Sequence, residues 1–179
     1  IFYIKLEKIK SEFYFFKRKF LVMTAKSKKY TGASSFVDID NSREEEQVKI
    51  MEQIIEEGHC PFCLENFFKY NSRDLLKESQ HWILTLNKWP YKNTKHHFLA
   101  ILKEHAENMQ EIPPEAGKEL IELFQWLEKK YSIPGGGFAM RFGDTNYSAG
   151  TVKHIHAQLI VPDIEEEEFK PVRFKIGKG

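Results

Sequence analysis

Two histidines and a glutamine occupy alternate positions in a short stretch of the chain, as His154, His156 and Gln158. The residues between and after them are apolar: Ile155, Ala157, Leu159 and Val161. This period of two is typical of a β-strand with one face on a core. A neutral imidazole is a nucleophile near pH 7, and its attack on phosphorus would give a covalent phosphoramidate. The alternative interpretation is a surface strand whose polar face is hydrated.

A second group of reactive side chains consists of Cys60 and Cys63, which are separated by a proline and a phenylalanine. Zinc binds thiolates and imidazoles tetrahedrally, so this pair supplies half of a zinc site. Redox-active or structural thiols are the alternatives. The histidines available to complete a metal site are His59, His105 and His154.

The stretch around the two histidines resembles the signature of the histidine triad (HIT) superfamily, His-x-His-x-His followed by apolar residues. Gly150 and Thr151 precede it as in the family, and Gln158 replaces the third histidine. This replacement is similar to the branch that contains galactose-1-phosphate uridylyltransferase and the diadenosine tetraphosphate phosphorylases. A hairpin motif of the family is also matched, with His96 and Leu102 as departures from a usual glycine and proline. The matching residues are Asn87, Pro90, Tyr91, His97, Lys103 and His105.

The resemblance implies catalytic roles for the three polar residues of the strand. The middle histidine of the family is the nucleophile, which implies this role for His156. Gln158 would donate to a phosphate oxygen, and because a carboxamide is no acid at neutral pH, leaving groups that depart as anions are favoured. His154 would serve both the motif and a structural Zn²⁺. The implied zinc ligands are Cys60, Cys63, His105 and His154, with His59 as a local competitor.

The remaining site residues are implied to contact a nucleotide, and they are Asn87, His97, Gly150, Thr151 and Asn146. Arg141 is the alternative to Asn146 as the phosphate contact that precedes the motif. The expected function is that of a nucleotide hydrolase or nucleotidyltransferase with a nucleotidyl-histidine intermediate. One alternative is a zinc-stabilised nucleotide-binding or scaffold module without turnover. Another is a HIT enzyme that processes nucleic acid, which would need a basic groove or an appended finger.

Composition limits the class of protein. The 179 residues suit one domain with a full core, and a net charge of +1 gives no basic field for nucleic acid. No apolar run approaches the roughly 20 residues of a membrane helix. We therefore expect a cytoplasmic protein with neither nucleic acid nor membrane as a partner. Trp126 lies off the apolar stripe of its predicted helix, which together with the family resemblance predicts a homodimer.

The elements that position these residues are predicted to form an α+β domain over residues 41–179. We expect a HIT-like, mainly antiparallel sheet with one long helix packed on it, plus an N-terminal helix. Residues 1–40 are expected to lie outside the core. Within them, residues 1–22 would be an extension and residues 24–40 a linker.

Periodicity and turn signals set the expected limits of the elements. The N-terminal helix should begin in a capping box formed by Ser42 and Glu45 and end at Gly58. The long helix should begin at Pro113, where proline suits a first turn. Strands are expected over residues 81–87, 97–102, 138–142 and 154–161, with a further edge strand over residues 172–176.

Overall fold

The structure is a computed structural model that describes residues 29–71 and 74–178. The extension expected over residues 1–22 lies outside this part of the chain. Two 3-10 turns, Ile39–Asn41 and Met109–Glu111, accompany the regular elements. In chain order these elements are α1 (Glu45–Glu57), α2 (Leu64–Tyr70), β1 (Lys77–Glu78), β2 (Trp82–Leu86), β3 (Thr94–Leu102), α3 (Pro114–Tyr131), β4 (Gly137–Arg141), α4 (Thr145–Ser148) and β5 (His156–Pro162).

The strands form one five-stranded antiparallel sheet in the order β1-β2-β3-β5-β4. Strand β5 therefore lies between two neighbours. Its register places Gln158 opposite Leu99 of β3 on one side and opposite Ala139 of β4 on the other. Arg141, at the end of β4, lies opposite His156. The predicted α+β class with a mainly antiparallel sheet is confirmed.

Helix α3 packs on one face of the sheet and forms the larger core. Trp82 of β2 donates its Nε1–H to the carbonyl of Ala116 at 2.7 Å, which joins the sheet to the helix. The helix begins at Pro114, one residue after the predicted start. Of its predicted apolar stripe, Leu120, Leu123, Phe124 and Leu127 are buried in this core, and Tyr131 is partly buried against it. The apolar face of β5 contributes Ile155, Ala157 and Val161 to the same core.

The opposite face of the sheet carries the polar residues of β5. Phe67 of α2 packs there against Ile83, Leu99 and Ile101 of β2 and β3. Side chains alternate between the two faces of a strand, so this face also receives His156 and Gln158. The alternation predicted from the sequence thus gives β5 one apolar face in the core and one polar face that carries His156 and Gln158.

The segment before α1 belongs to the folded domain. Val37 and Ile39 are fully buried and pack with Met51 and Ile54 of α1. Val37 also forms an isolated antiparallel bridge to Val152, just before β5. The linker expected over residues 24–40 is therefore wrong for these positions, because their apolar side chains fill the space between α1 and the sheet.

The predicted start of α1 is wrong, whereas its predicted end is confirmed. The helix begins at Glu45 with Glu44 as its N-cap, and no side chain caps it. Ser42 instead ends the preceding 3-10 turn, so the capping box does not form. Gly58 ends the helix with φ 67°, a left-handed conformation that glycine adopts without steric cost.

Strand β5 begins two residues later than predicted, because Ile155 bonds elsewhere. The Ile155 N–H donates to the carbonyl of Ala106, and the Ile155 carbonyl accepts from Leu102 N–H. Both partners lie near the end of β3. Regular pairing consequently starts at His156.

The edge strand predicted over residues 172–176 does not form. The Lys175 carbonyl accepts a hydrogen bond from Arg141 Nη2 at 2.8 Å, and Phe174 lies against the guanidinium of the same arginine. These contacts with Arg141 hold the segment in place, and residues 172–176 do not adopt a β-strand. Among the described residues, no helix has both the length and the apolar character needed to span a membrane.

Candidate functional site

His156 presents one defined nitrogen to a cavity of about 310 Å³. Its Nδ1 donates to the main-chain carbonyl of His154 at 2.7 Å, which fixes the tautomer. Its Nε2 has no hydrogen-bond partner among the residues that the structure describes. Burial lowers the pKa of His156 to about 4, so the ring is neutral at pH 7. A neutral ring with an unprotonated Nε2 is the state that a nucleophile requires.

His97 fixes the orientation of the Gln158 carboxamide. The Tyr91 N–H donates to His97 Nδ1 at 3.1 Å, so a neutral His97 ring must carry its proton on Nε2. That Nε2 lies 2.9 Å from Gln158 Oε1, which therefore accepts. Burial lowers the pKa of His97 to about 4, consistent with one proton on the ring. The Gln158 amide N–H₂ is left as the end available to a ligand.

Asn87 lies next to this pair at the end of β2. Its Oδ1 accepts from the Trp89 N–H at 2.9 Å, so its amide group is the end near His97, 3.1 Å from Nε2. Asn87, His156 and Gln158 all line the cavity. Two residues of β5 and one residue of the turn after β2 are therefore gathered around one space.

Two arginines on the cavity wall, Arg43 and Arg141, both contact the side chain of Tyr91. The Arg43 guanidinium lies 4.2 Å from the centroid of Tyr91, and Arg141 Nη1 donates to the Tyr91 hydroxyl at 2.8 Å. Burial lowers the pKa of Arg43, and the charge of Arg141 adds to this shift. Neither guanidinium forms an ion pair with a carboxylate in the described part of the chain. Partly buried cations without counter-charges favour an anionic ligand.

Three buried polar side-chain atoms in the described residues have no hydrogen-bond partner: Ser42 Oγ, Trp89 Nε1 and Arg141 Nε. All three residues line this same cavity. A buried donor without a partner costs free energy, so such groups are normally satisfied by a ligand or by water. Their convergence on one space indicates a binding site.

A second cluster lies beside His156 and joins the cysteine turn to β5. One ligand atom from each of Cys60, Cys63, His105 and His154 lies within 4.8 Å of every other. Cys60 Sγ is 3.3 Å and Cys63 Sγ 3.9 Å from His154 Nδ1, and Cys63 Sγ is 3.4 Å from His105 Nδ1. Tetrahedral zinc, with its usual bond lengths, would separate S and N by about 3.6 Å. The donor set and its spacing therefore fit a zinc ion.

The tautomer of His154 also suits a metal ligand. Its Nε2 lies 2.6 Å from the carbonyl of Leu102, so it carries the proton and leaves Nδ1 bare towards the thiols. Burial raises the pKa of Cys63 to about 12, and that of Cys60 also rises, so the thiolates need a cation beside them. His59 is not in the cluster, since its Nε2 faces the Tyr70 hydroxyl at 2.7 Å.

Only some of the residues predicted to contact phosphate line the cavity. Thr151 lines the cavity, while its neighbour Gly150 is buried and its carbonyl accepts from Asn41 Nδ2 at 3.0 Å. Asn146 is exposed on α4 and does not line the cavity, so its contact with phosphate stays a prediction without support from this geometry. Its N–H donates to Asp144 Oδ1 at 2.8 Å. Arg141, the alternative candidate, does line the cavity.

Several cavity residues were not predicted: Arg43, Trp89, Arg173 and Lys175. Arg43 precedes α1 and Trp89 lies in the hairpin turn, where the sequence offers no periodic signal. Arg173 and Lys175 belong to the misassigned edge strand. Their alternation with apolar residues was visible in the sequence, but nothing local indicated which surface they would meet.

No family model and no curated protein matches the chain. Among solved structures, a hypothetical protein from Leishmania major matches with 19% identity and a TM-score of 0.51, over 68% of this chain and 85% of that one. A zinc-bound histidine triad family protein from Mycobacterium smegmatis matches with 20% identity and a TM-score of 0.45, over 63% and 82%. A hypothetical histidine triad nucleotide-binding protein from Sulfolobus tokodaii matches with 20% identity and a TM-score of 0.46, over 67% and 81%. At these identities the likeness concerns the fold, which the Leishmania protein shares.

Proposed function

We propose that this chain is a histidine triad superfamily enzyme of the His-x-His-x-Gln type, which transfers a nucleotidyl group through a covalent bond to His156. The observation that carries the proposal is the state of the His156 ring. Its Nδ1–H is held by the His154 carbonyl at 2.7 Å, while its Nε2 is unpartnered among the described residues and the side chain lines a cation-bearing cavity.

The proposed step conserves charge without an external base. The Nε2 lone pair forms a bond to phosphorus, and the bond from phosphorus to the leaving oxygen breaks with its electron pair. Nδ1 keeps its proton, so the ring becomes a cation whose N–H is bonded to the His154 carbonyl. Water then attacks the intermediate in a hydrolase, whereas a phosphate or another nucleophile attacks in a transferase.

Gln158 supports this step by charge stabilisation. Because its Oε1 accepts from His97, its amide N–H₂ can donate to a phosphate oxygen as negative charge develops. It has no proton to give to the leaving group. The leaving group must therefore depart as a stable anion, which favours phosphate, pyrophosphate or a nucleotide over an amine.

The cations and polar atoms of the cavity are suited to the substrate that this chemistry needs. Arg43 stacks on the Tyr91 ring and Arg141 bonds the Tyr91 hydroxyl, both without carboxylate partners among the described residues, and Arg141 retains an unpaired Nε–H. Arginine matches phosphate oxygens in both charge and geometry. Trp89 Nε1 and Ser42 Oγ are further groups for the non-reacting part of a nucleotide.

Cys60, Cys63, His105 and His154 would hold a structural zinc ion. Bound zinc contributes folding free energy at such sites. It would join the cysteine turn to His154, whose carbonyl holds the nucleophile. The reacting atoms themselves belong to His156 and the substrate.

Covalent labelling tests the proposal. The protein is incubated with donors labelled at the α-phosphate, namely nucleoside phosphoramidates, dinucleoside polyphosphates and nucleotide sugars, and is then quenched in base. We expect label on the peptide that contains His156, stable in base and lost in acid. His156→Ala should abolish labelling and turnover, while His96→Ala, which removes a histidine outside the cavity, should keep both.

Two other results would contradict the proposal in different ways. Unchanged turnover in His156→Ala would exclude the covalent mechanism. Nucleotide binding without labelling by any donor would favour the zinc-stabilised binding or scaffold module instead.

A further inference from the structure

The segment after β5 returns to the cavity and alternates between two surfaces. Arg173 and Lys175 line the cavity that contains His156. Val172 and Phe174 line a separate apolar groove next to β4 and β5. The alternation expected of a strand is thus present without strand pairing. It directs the basic side chains to the cavity and the apolar ones to the sheet.

Several contacts fix the position of this segment. Arg141 Nη2 donates to the Lys175 carbonyl at 2.8 Å, and its guanidinium lies 3.8 Å from the Phe174 ring centroid. Lys178 N–H donates to the carbonyl of Asn146 at 2.8 Å. The Lys178 ammonium lies 2.9 Å from the fully buried carboxylate of Asp38. These contacts hold the segment at Phe174, Lys175 and Lys178 and thereby keep it beside the cavity.

The charge of the cavity exceeds what one phosphate group needs. Among the described residues that line it, the basic ones are Arg43, Arg141, Arg173 and Lys175, and the acidic one is Asp40. The charge of Asp40 is partly offset by the Lys178 ammonium at 3.3 Å. A phosphodiester carries one charge, whereas a terminal diphosphate carries about three near pH 7. The balance of charge matches the diphosphate.

We propose that Arg173 and Lys175 form a second anion subsite, which binds the phosphate next to the one attacked by His156. These two side chains would accordingly favour substrates with two or more adjacent phosphates over those with a single phosphate group. This inference rests on the proposed function for the identity of the first phosphate. It goes further in assigning binding and specificity to the C-terminal segment.

The subsite complements the chemistry of Gln158. In the proposed step, the bond between phosphorus and the bridging oxygen breaks, and the electron pair leaves with the outer phosphate. No side chain identified at the site supplies a proton to that oxygen. Arg173 and Lys175 would stabilise the leaving anion by charge instead, as cations do for transferring phosphates.

Calorimetric titration with inorganic phosphate and inorganic pyrophosphate tests the subsite. We expect wild-type protein to bind pyrophosphate at least about ten-fold more tightly than phosphate, as charge-assisted hydrogen bonds to a second group imply. In Arg173→Ala/Lys175→Ala, the preference should fall to within about two-fold, with phosphate binding retained. Arg173→Lys/Lys175→Arg, which keeps both charges, should keep the preference.

The matched control is Lys129→Ala/Lys170→Ala. It removes the same charge from exposed lysines that do not line the cavity, and it should behave as wild type. Absence of a pyrophosphate preference in wild-type protein would overturn the inference, and so would an equal loss in the control.

The same titration in His156→Ala protein separates this inference from the proposed function, because binding at the second subsite needs no nucleophile. If His156→Ala protein keeps the pyrophosphate preference and wild-type protein shows no histidine labelling, the subsite is upheld and the covalent mechanism is rejected. Histidine labelling together with an unchanged preference in Arg173→Ala/Lys175→Ala would reject the subsite alone.

Discussion

The direction in which Gln158 points depends on one proton of His97. The Tyr91 N–H occupies His97 Nδ1, which puts the ring proton on Nε2 and against Gln158 Oε1. Had that proton been on Nδ1, the carboxamide would be free to turn its oxygen to the cavity and repel a phosphate. The role proposed for Gln158 therefore requires the Nε2 atom of His97 to carry a proton.

Substitution of Gln158 tests this role. Gln158→Ala should lower the rate of His156 labelling by about 10²–10³, as removal of one preorganised donor does. Gln158→Glu should be at least as slow, because its carboxylate would still accept from His97 and would place negative charge at the phosphate. The measurement is single-turnover labelling. Gln125→Ala on the exposed side of α3 is the control, and a Gln158→Ala rate within about three-fold of wild type would refute the role.

The pH dependence of stability provides a test of the His97 environment. In the unfolded chain His97 takes up a proton near pH 6.5, whereas burial lowers the pKa of the folded-state ring to about 4. The unfolded state thus binds more protons between these values. The stability that His97 contributes is fully present above about pH 6.5 and is lost as the pH falls towards 4.

His97→Gln should reduce this loss, because glutamine does not titrate. We expect the free energy of unfolding of wild type to fall more steeply than that of the variant, by up to about 1.4 kcal/mol per pH unit. Urea denaturation between pH 7 and 4.5 measures both slopes. His154 and His156 also have a lowered pKa and remain in both proteins, so the difference isolates His97. Parallel curves would contradict the assignment.

At the scale of elements, the cysteine turn and β5 depend on each other through His154. Cys60→Ser should lower both zinc content and melting temperature, because a structural metal contributes folding free energy. His105→Ala should do the same, whereas His59→Ala should retain zinc, since His59 faces Tyr70. Elemental analysis with thermal melting measures this. Wild-type protein with under about 0.2 zinc per chain and no response to chelators would exclude the site.

Elements with a long periodic pattern could be predicted from the sequence, and those set by distant contacts could not. The stripe of α3 and the alternation of β5 depend on local periodicity, and both are found. The residues at which elements begin and end could be predicted less well. Strand β5 starts late because Ile155 pairs with Ala106, and α1 starts late because Ser42 ends a 3-10 turn.

Residues 36–39 and 172–178 were the main error for the same reason. Both segments have little regular structure, and both are too short to show whether their apolar side chains meet the core. Their positions follow from single long-range contacts, such as that between Lys178 and Asp38. Such a pair leaves no periodic trace in the sequence. The strand that carries His156 and Gln158 was thus predictable, whereas the contribution of Arg43, Arg173 and Lys175 to the cavity wall was not.

At the scale of the whole molecule, the homodimer stays a prediction, but Trp126 is less suited to the contact than expected. The Lys77 and Lys130 ammonium groups lie 4.8 and 4.5 Å from its ring, and the side chain packs partly on the core. Strand β4 offers a better surface. It is an edge strand in the described sheet, and its Phe138 is 59% exposed.

We expect light scattering at micromolar concentration to give the mass of two chains. Phe138→Lys should shift the protein to monomer, because a charge would be buried at the contact. Trp126→Ala should remain a dimer. A wild-type monomer would exclude the prediction, and a dimer that survives Phe138→Lys would move the contact away from β4.

The contact of His154 with two cysteine thiols would make the proposed activity sensitive to oxidants, although the reaction itself is not a redox reaction. Its Nδ1 faces two thiols, and its carbonyl holds the ring that is proposed to attack phosphorus. Peroxide converts cysteine thiolates to sulfenic acid or disulfide and removes them as metal ligands. Phosphoryl transfer involves no change of oxidation state, yet here it would slow when the redox balance of the surroundings shifts, and it would recover when a reductant restores the thiols.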